Sequence, residues 1–220
     1  MMFTTSKDAI VWNHVKQSRI QLLAYLETLT NEQWNQESLC VGWKVRDVLA
    51  HLILEYHYTA RTSWKDFVRS GFRVNEFMKR TALSLGRSST ESLLDQFRLM
   101  IDERIKPSSV PTMNVLVDLL VHEQDIRIAL GQTKAMNPNS LQLVFSHWEP
   151  SEYNFGEKIT GLAARLSGLK FVLTDLNMSK GAGKEVIGTA EDILLAAVGR
   201  MARINNLQGE GSKVLKSRLK

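Results

Sequence analysis

Apolar residues recur at intervals of three and four along the first 130 residues, the spacing that is typical of amphipathic helices. The pattern predicts four long helices, over 10–29, from Lys44 to about Arg69, from Ser88 to about Ile105, and over 112–130. Residues 72–87 fit a loop with a short helical piece. Four long helices joined by short links predict an antiparallel four-helix bundle.

Cap and turn residues mark several of the predicted ends. Thr30 is placed to cap a short helical turn, and Ser88 with Glu91 has the spacing of a capping box. Gly42 lies in an irregular link at 38–43 and is free to adopt a positive φ. Gly131 follows the fourth helix directly and is expected to end it.

The pattern changes after Pro138. A short helix is predicted over 140–148, and strands over 169–175 and 185–187 with a glycine-rich hairpin turn at 179–183 between them. Thr189 is placed to cap a last helix that runs to about Met201. The chain is therefore expected to be mainly α. We expect a bundle over 1–138, a small α+β C-terminal unit over 139–212 and a basic tail over 213–220.

A polar stripe runs along the fourth predicted helix. Asp118, His122 and Asp125 share one narrow face, and apolar residues flank it on both sides. The remaining side, expected to face solvent, carries Glu123, Gln124 and Arg127. A carboxylate and an imidazole are thus predicted to point into the protein, where a charge must be paired or bound to a metal.

A metal site in a helical bundle needs ligands from facing helices. Asp118 and His122 are four residues apart on one helix, and His51 on the second helix could complete the set. Two imidazoles and one carboxylate suit zinc, iron, nickel or manganese, with positions left for solvent or substrate. The alternative is an Asp–His hydrogen bond inside an ordinary helical core.

Other polar residues have candidate supporting roles. Asp47 and Glu55 lie four residues on either side of His51 and could hold its ring. Asp125 is either an acceptor for the His122 imidazole or an anchor for Arg127. Cys40, the single cysteine, has no base near it in sequence and is interpreted as a small packed residue.

Charge and composition limit the classes of partner that we expect this chain to bind. The net charge is +5 and the pI about 9.3, but the basic residues are spread along the chain except in the tail. This pattern favours a mildly basic surface over a nucleic-acid site. No apolar run approaches the roughly 20 residues that span a bilayer, and one cysteine gives no internal disulfide. We expect a cytoplasmic monomer or homodimer that binds neither membrane nor nucleic acid.

Two segments carry a family resemblance. Residues 42–52, Gly-Trp-Lys-Val-Arg-Asp-Val-Leu-Ala-His-Leu, resemble the GW-x-V-R-D-x-L-A-H-L signature of the mycothiol-dependent maleylpyruvate isomerase family. Residues 121–131 resemble its second signature, V-H-x-x-D-I-R-x-x-L-G. The stretch from Gly168 to Gly211 is similar to the family's short C-terminal unit. The three matches occur in the family's order and span most of the chain.

The resemblance implies a DinB-like four-helix bundle that holds a divalent metal. It places the ligands at His51, Asp118 and His122, where Asp118 departs from the glutamate of the characterised pattern. It also implies a low-molecular-weight thiol as cofactor, because a metal beside a thiol favours the nucleophilic thiolate. Arg127 is the candidate for binding that cofactor, and Asp47 and Asp125 are the candidates to support the ligands.

The expected function is therefore a metal-dependent isomerisation or S-transfer on a small electrophilic substrate, with zinc, nickel or a similar ion. A rival of another class is a non-catalytic DinB-like protein that binds a metal or ligand for sensing or assembly. Retention of metal without consumption of any thiol would favour the rival.

Overall fold

The computed structural model describes residues 6–57, 74–106, 110–148 and 162–219. The chain divides into two compact units, Met1–Thr133 and Lys134–Lys220. Among the described residues, no helix combines the length and the apolar character that crossing a bilayer would require.

The first unit is a helical bundle. Its helices are α1 Ser6–Leu26, α2 Asn31–Trp34, α3 Val45–His57, α4 Val74–Leu85, α5 Thr90–Leu99 and α6 Thr112–Ala129. Helix α1 packs against α5 and α6, and α3 packs against the same two helices, so these four form a closed ring around the core. Helix α4 packs on the outside of α3. The expected bundle is confirmed.

Several predicted caps are present. The Thr30 hydroxyl accepts the backbone N–H of Gln33, and the Gln33 side chain accepts the N–H of Thr30, which is a complete capping box. Gly42 has φ +76° and Gly131 has φ +71°, as the chain reversals at these points require. The second predicted helix continues to at least His57, and its expected end at 69–71 lies outside the described residues.

The third predicted helix differs from expectation at both ends. Its N-cap is Ser89, whose hydroxyl accepts the N–H of Ser92, so the predicted Ser88–Glu91 box is wrong by one residue. It ends at Leu99 instead of continuing to Ile105. Beyond this end, the guanidinium of Arg19 in α1 donates to the carbonyls of Met100 and Glu103 and fixes the chain that follows the helix.

The side of α6 that was expected to face solvent is buried. Glu123, Gln124 and Arg127 are at most 7% exposed because α1 covers this face. Arg127 Nε donates to Glu123 Oε1 at 2.7 Å, and its guanidinium lies 3.6 Å from the centre of the Tyr25 ring of α1. An ion pair and a cation–π contact thus satisfy charges that the apolar pattern alone assigns to the surface.

The second unit is small and mixed. Its elements are α7 Pro138–Ser146, α8 Leu162–Leu166, β1 Leu169–Leu173, β2 Met178–Gly181, β3 Lys184–Gly188, α9 Ala190–Ala197, a 3₁₀ turn Ile204–Asn206 and α10 Glu210–Arg218. The strand order is β2-β1-β3, with β1 antiparallel to β2 and parallel to β3. The predicted α+β character is confirmed.

The glycine-rich segment is not a hairpin turn between two paired strands. Most of it is the strand β2, and the chain then crosses the start of β1 to reach the far side of the sheet. A Cβ on Gly183 would lie 2.1 Å from the carbonyl oxygen of Gly168, so only glycine allows this crossing.

The C-terminal elements also differ from the sequence prediction. Thr189 caps α9 as expected, but that helix ends at Ala197 instead of near Met201. The expected basic tail is the helix α10, which packs against β3 with Leu215 fully buried. Leu215 lies among basic and polar residues together with Val214, and its burial holds the helix in the second unit.

Candidate metal centre

Two helices of the bundle bring His51, Asp118 and His122 together. Helix α3 carries His51, and α6 carries the other two one turn apart. His51 Nε2 lies 3.3 Å from Asp118 Oδ2, and His122 Nε2 lies 3.4 Å from Asp118 Oδ1. One donor atom from each residue can be chosen so that all three lie within 4.8 Å of one another. The trio expected from the sequence therefore converges on one point.

The trio is closed on one side and open on the other. The His122 side chain is 8% exposed and the His51 side chain 14%, whereas the Asp118 side chain is 46% exposed. The exposed carboxylate lies one turn before the buried imidazole on α6. A small molecule could therefore approach the trio from the side of Asp118. A cation bound there would keep coordination positions on the solvent side.

The three side chains lie close enough together to share one cation. Each imidazole faces a different oxygen of Asp118, at 3.3 and 3.4 Å. Two ligands placed about 2.05 Å from a tetrahedral zinc ion are about 3.3 Å apart, and one donor atom from each of the three residues can be chosen within 4.8 Å of the other two. The donor set and its spacing thus fit a divalent metal such as zinc.

The charges of the trio are strongly coupled. Burial by the surrounding protein would raise the pKa of Asp118, but the neighbouring His122 and His51 outweigh it and hold that pKa well below its usual range. Burial would likewise lower the pKa of His122, but the Asp118 charge and the hydrogen bonds of Asp118, Asp125 and Cys40 raise it well above its usual value. Without a metal, the His122 imidazole and the Asp118 carboxylate favour an ion pair.

Asp125 supports His122 from behind. It is completely buried, and its Oδ2 lies 2.9 Å from His122 Nδ1. Of the two roles predicted for Asp125, the structure shows the contact with the imidazole, while Arg127 pairs with Glu123. A carboxylate on Nδ1 keeps the proton on that nitrogen and leaves the Nε2 lone pair directed at the trio.

An aromatic ring and a thiol complete the surroundings. The Trp43 ring lies 5.2 Å from the ring of His51 and 6.4 Å from that of His122, nearly parallel to the latter. Cys40 Sγ lies 3.1 Å from Asp125 Oδ2 and 3.7 Å from His122 Nδ1. Sequence reasoning missed both residues. The signal was present in Gly42, whose positive φ turns the chain back so that Cys40 and Trp43 face the same helix.

The other candidate residues lie elsewhere. Asp47 Oδ2 accepts the backbone N–H of Lys44 at 2.9 Å and so caps the start of α3 instead of holding His51. The side chain of Glu55 lies outside the described residues. His51 Nδ1 is buried and has no hydrogen-bond partner in the part of the chain that the structure describes. The role of Arg127 in cofactor binding stays a prediction.

Comparisons with known proteins agree with this architecture. The family model described as the mycothiol maleylpyruvate isomerase N-terminal domain matches residues 15–127, which include the whole trio. A crystal structure of the mycothiol-dependent maleylpyruvate isomerase is similar, with a TM-score of 0.60 and 13% identity over 95% of this chain and 97% of that one. A histidine-to-alanine variant of that enzyme gives 0.58 and 10% over the same shares. No curated protein matches by sequence.

Proposed function

Because the chain belongs to the mycothiol maleylpyruvate isomerase family, we propose that it is a metal- and thiol-dependent enzyme acting on a small electrophilic substrate. The reaction class is isomerisation or S-transfer with a low-molecular-weight thiol resembling mycothiol. The observation that supports it most is the convergence of His51, Asp118 and His122 at separations that fit a divalent ion.

The three residues would hold the cation through His51 Nε2, His122 Nε2 and one Asp118 oxygen. When bound, the cation would favour the thiolate form of a thiol placed beside it. The thiolate is the nucleophilic form of sulfur. Addition of that sulfur to an activated carbon–carbon double bond allows rotation about the former double bond, and its expulsion restores the double bond in the isomerised product. If the adduct leaves instead, the outcome is S-transfer.

The residues around the trio have positioning roles in this proposal. Asp125 holds the Nδ1 proton of His122 and fixes the direction of the imidazole. The Trp43 ring lies against both imidazoles and keeps water from that side. Asp118, half-exposed, leaves the approach open for thiol and substrate. Orientation of two reactants in this way is a large part of the rate enhancement that such a site can provide.

The test combines metal retention with thiol chemistry. Purified protein is stripped with chelator, offered zinc, nickel or manganese, and assayed for bound metal and for thiol-dependent conversion of a panel of electrophiles that includes maleylpyruvate. We expect near-stoichiometric metal and conversion that needs both metal and thiol. His122→Ala should lose both, and its metal-free stability should fall as well because the buried Asp125 carboxylate loses its imidazole partner.

Three outcomes would contradict the proposal. Absence of bound metal in the wild-type protein would show that the trio is an ordinary ion-paired cluster. Stoichiometric metal without thiol consumption for any electrophile would instead support the rival, a non-catalytic protein that binds a metal or ligand. A large loss of metal-free stability in His122→Ala, with metal binding intact, would identify His122 as a packing residue.

A further inference from the structure

Cys40 lies behind the candidate metal centre, on the side away from the open Asp118 carboxylate. Its thiol donates to Asp125 Oδ2 at 3.1 Å, and the same oxygen lies 2.9 Å from His122 Nδ1. Asp125 is 0% exposed. One buried carboxylate oxygen therefore receives both the imidazole and the thiol.

These contacts have the lengths of hydrogen bonds. The 2.9 Å separation of Asp125 from His122 is shorter than the spacing of two ligands around one ion, about 3.3 Å for zinc with nitrogen and oxygen ligands. The donor atoms of Cys40, His122 and Asp125 also lie within 4.8 Å of one another, but the short contact between Asp125 and His122 favours a chain of hydrogen bonds over a second ligand set. Cys40 acts on the centre through Asp125.

The loop that carries Cys40 is also fixed to Asp125 through the backbone. We call residues 38–43 the Trp43 loop. The N–H of Leu39 donates to the Asp125 carbonyl at 3.1 Å. The loop is closed by hydrogen bonds of the Ser38 hydroxyl and N–H to the Trp43 carbonyl, at 2.8 and 2.9 Å. Asp125 thus joins the loop to α6 through its main chain and its side chain.

We propose that Cys40 is a positioning residue for the metal centre. By donating to Asp125 it orients the carboxylate toward His122 Nδ1, and it holds the Trp43 ring against both imidazoles. This inference rests on the proposed function in one respect only, that the trio binds a metal. Partners of metal-bound histidines change metal affinity by about 10–100-fold when they are removed.

The mechanism predicts a graded effect of substitution. Cys40→Ala removes one of the hydrogen bonds to the buried Asp125 carboxylate, so the orientation of this carboxylate, and with it that of His122, is held less firmly. Cys40→Ser keeps an O–H donor on the same atom position. A matched control is Val41→Ala in the same loop. Val41 is 93% exposed, so shortening its side chain should leave the candidate metal centre unchanged.

The experiment measures Zn²⁺ affinity by competition with a chromophoric chelator, and the visible spectrum of the Co²⁺-loaded protein. We expect Zn²⁺ binding about tenfold weaker in Cys40→Ala, largely restored in Cys40→Ser and unchanged in Val41→Ala. The wild-type Co²⁺ spectrum should lack an intense sulfur-to-metal charge-transfer band. Metal-free unfolding midpoints verify that each variant is folded. If Cys40→Ala does not fold, Cys40→Val, which fills the space without a donor, takes its place and should show the same weakening.

Failure of this inference is separable from failure of the proposed function. Wild-type protein that binds no Zn²⁺ overturns both. Wild-type binding with equal affinity in Cys40→Ala, or in Cys40→Val where that variant replaces it, overturns only the role of Cys40 as a donor. A charge-transfer band that disappears in Cys40→Ser shows that the sulfur is a direct ligand, which also overturns the positioning role.

Discussion

His122 is the residue on which most of the site's interactions converge. Its Nε2 faces Asp118, its Nδ1 faces Asp125, and two rings pack against it. Burial opposes a charge on this imidazole, yet the carboxylates raise its pKa well above the usual value. The metal-free protein should therefore keep His122 protonated at neutral pH, and a metal would have to displace that proton.

The raised pKa of His122 predicts how the stability of the metal-free protein changes with pH. The stabilisation from charged His122 should be fully present below about pH 6.5, the value expected in the unfolded chain, and be lost as the pH rises through the higher folded-state pKa. NMR titration of the ring protons in excess chelator measures that pKa, and denaturant unfolding across the same range measures the stability. An imidazole that titrates at or below the ordinary value would contradict the account.

The resemblance leaves open whether the side chain of Asp118 is long enough to reach both imidazoles. The family pattern has glutamate at this position, and a shorter acid could fail to reach. The structure places its two oxygens 3.3 and 3.4 Å from the two imidazoles, so the shorter side chain contacts both. The reach depends on how close α3 and α6 pack, which is a property of the bundle and not of the local sequence.

At the scale of elements, patterns with local causes were predictable. The helix periods, the Thr30 box and the positive φ of Gly42 and Gly131 each follow from a few neighbouring residues. Features that depend on distant partners were not. Arg19 fixes the chain that follows α5 through carbonyls more than 80 residues away, and α1 buries the charged face of α6. The sequence predicted that His51, Asp118 and His122 come together, but the loop that brings Cys40 to them is a tertiary feature.

The close approach of the chain to Gly168 between β2 and β3 can be tested by mutation. Gly183→Ala should destabilise the second unit by about 3 kcal/mol, because its Cβ would lie 2.1 Å from the Gly168 carbonyl oxygen. Gly131→Ala is the matched control. Its φ is also positive, +71° compared with +122° for Gly183, but no atom lies within 4 Å of the new Cβ, so it should cost only about 1 kcal/mol. Denaturant unfolding compares the two, and equal costs would refute the close crossing.

At the scale of the whole molecule, each unit has its own core, and buried polar groups join elements within it. In the bundle, Arg19 is 2% exposed and connects α1 to the residues that follow α5. In the second unit, Glu191 accepts the Met136 N–H at 2.8 Å and pairs with Arg203. Some of the charged residues of this basic chain therefore serve in buried structural contacts and do not lie on the surface.

Substitution of Arg19 measures how much such a buried connection contributes to the free energy of unfolding. Arg19→Met keeps most of the buried volume but leaves the Met100 and Glu103 carbonyls without this donor, so it should destabilise the bundle by about 2 kcal/mol. Lys16→Met on the same helix breaks an exposed ion pair with Asp102 and should change stability by less than about 0.5 kcal/mol. Urea titrations of both variants provide the comparison, and a neutral Arg19→Met would show that the connection is dispensable.

The most direct measurement of the central claim is X-ray absorption at the zinc edge of the thiol-free, zinc-loaded protein. The account predicts one zinc per chain with nitrogen and oxygen ligands at about 2.0–2.1 Å, two of them imidazoles, and no sulfur shell at about 2.3 Å. A protein that retains no zinc, or zinc bound through sulfur or through a single imidazole, would contradict it.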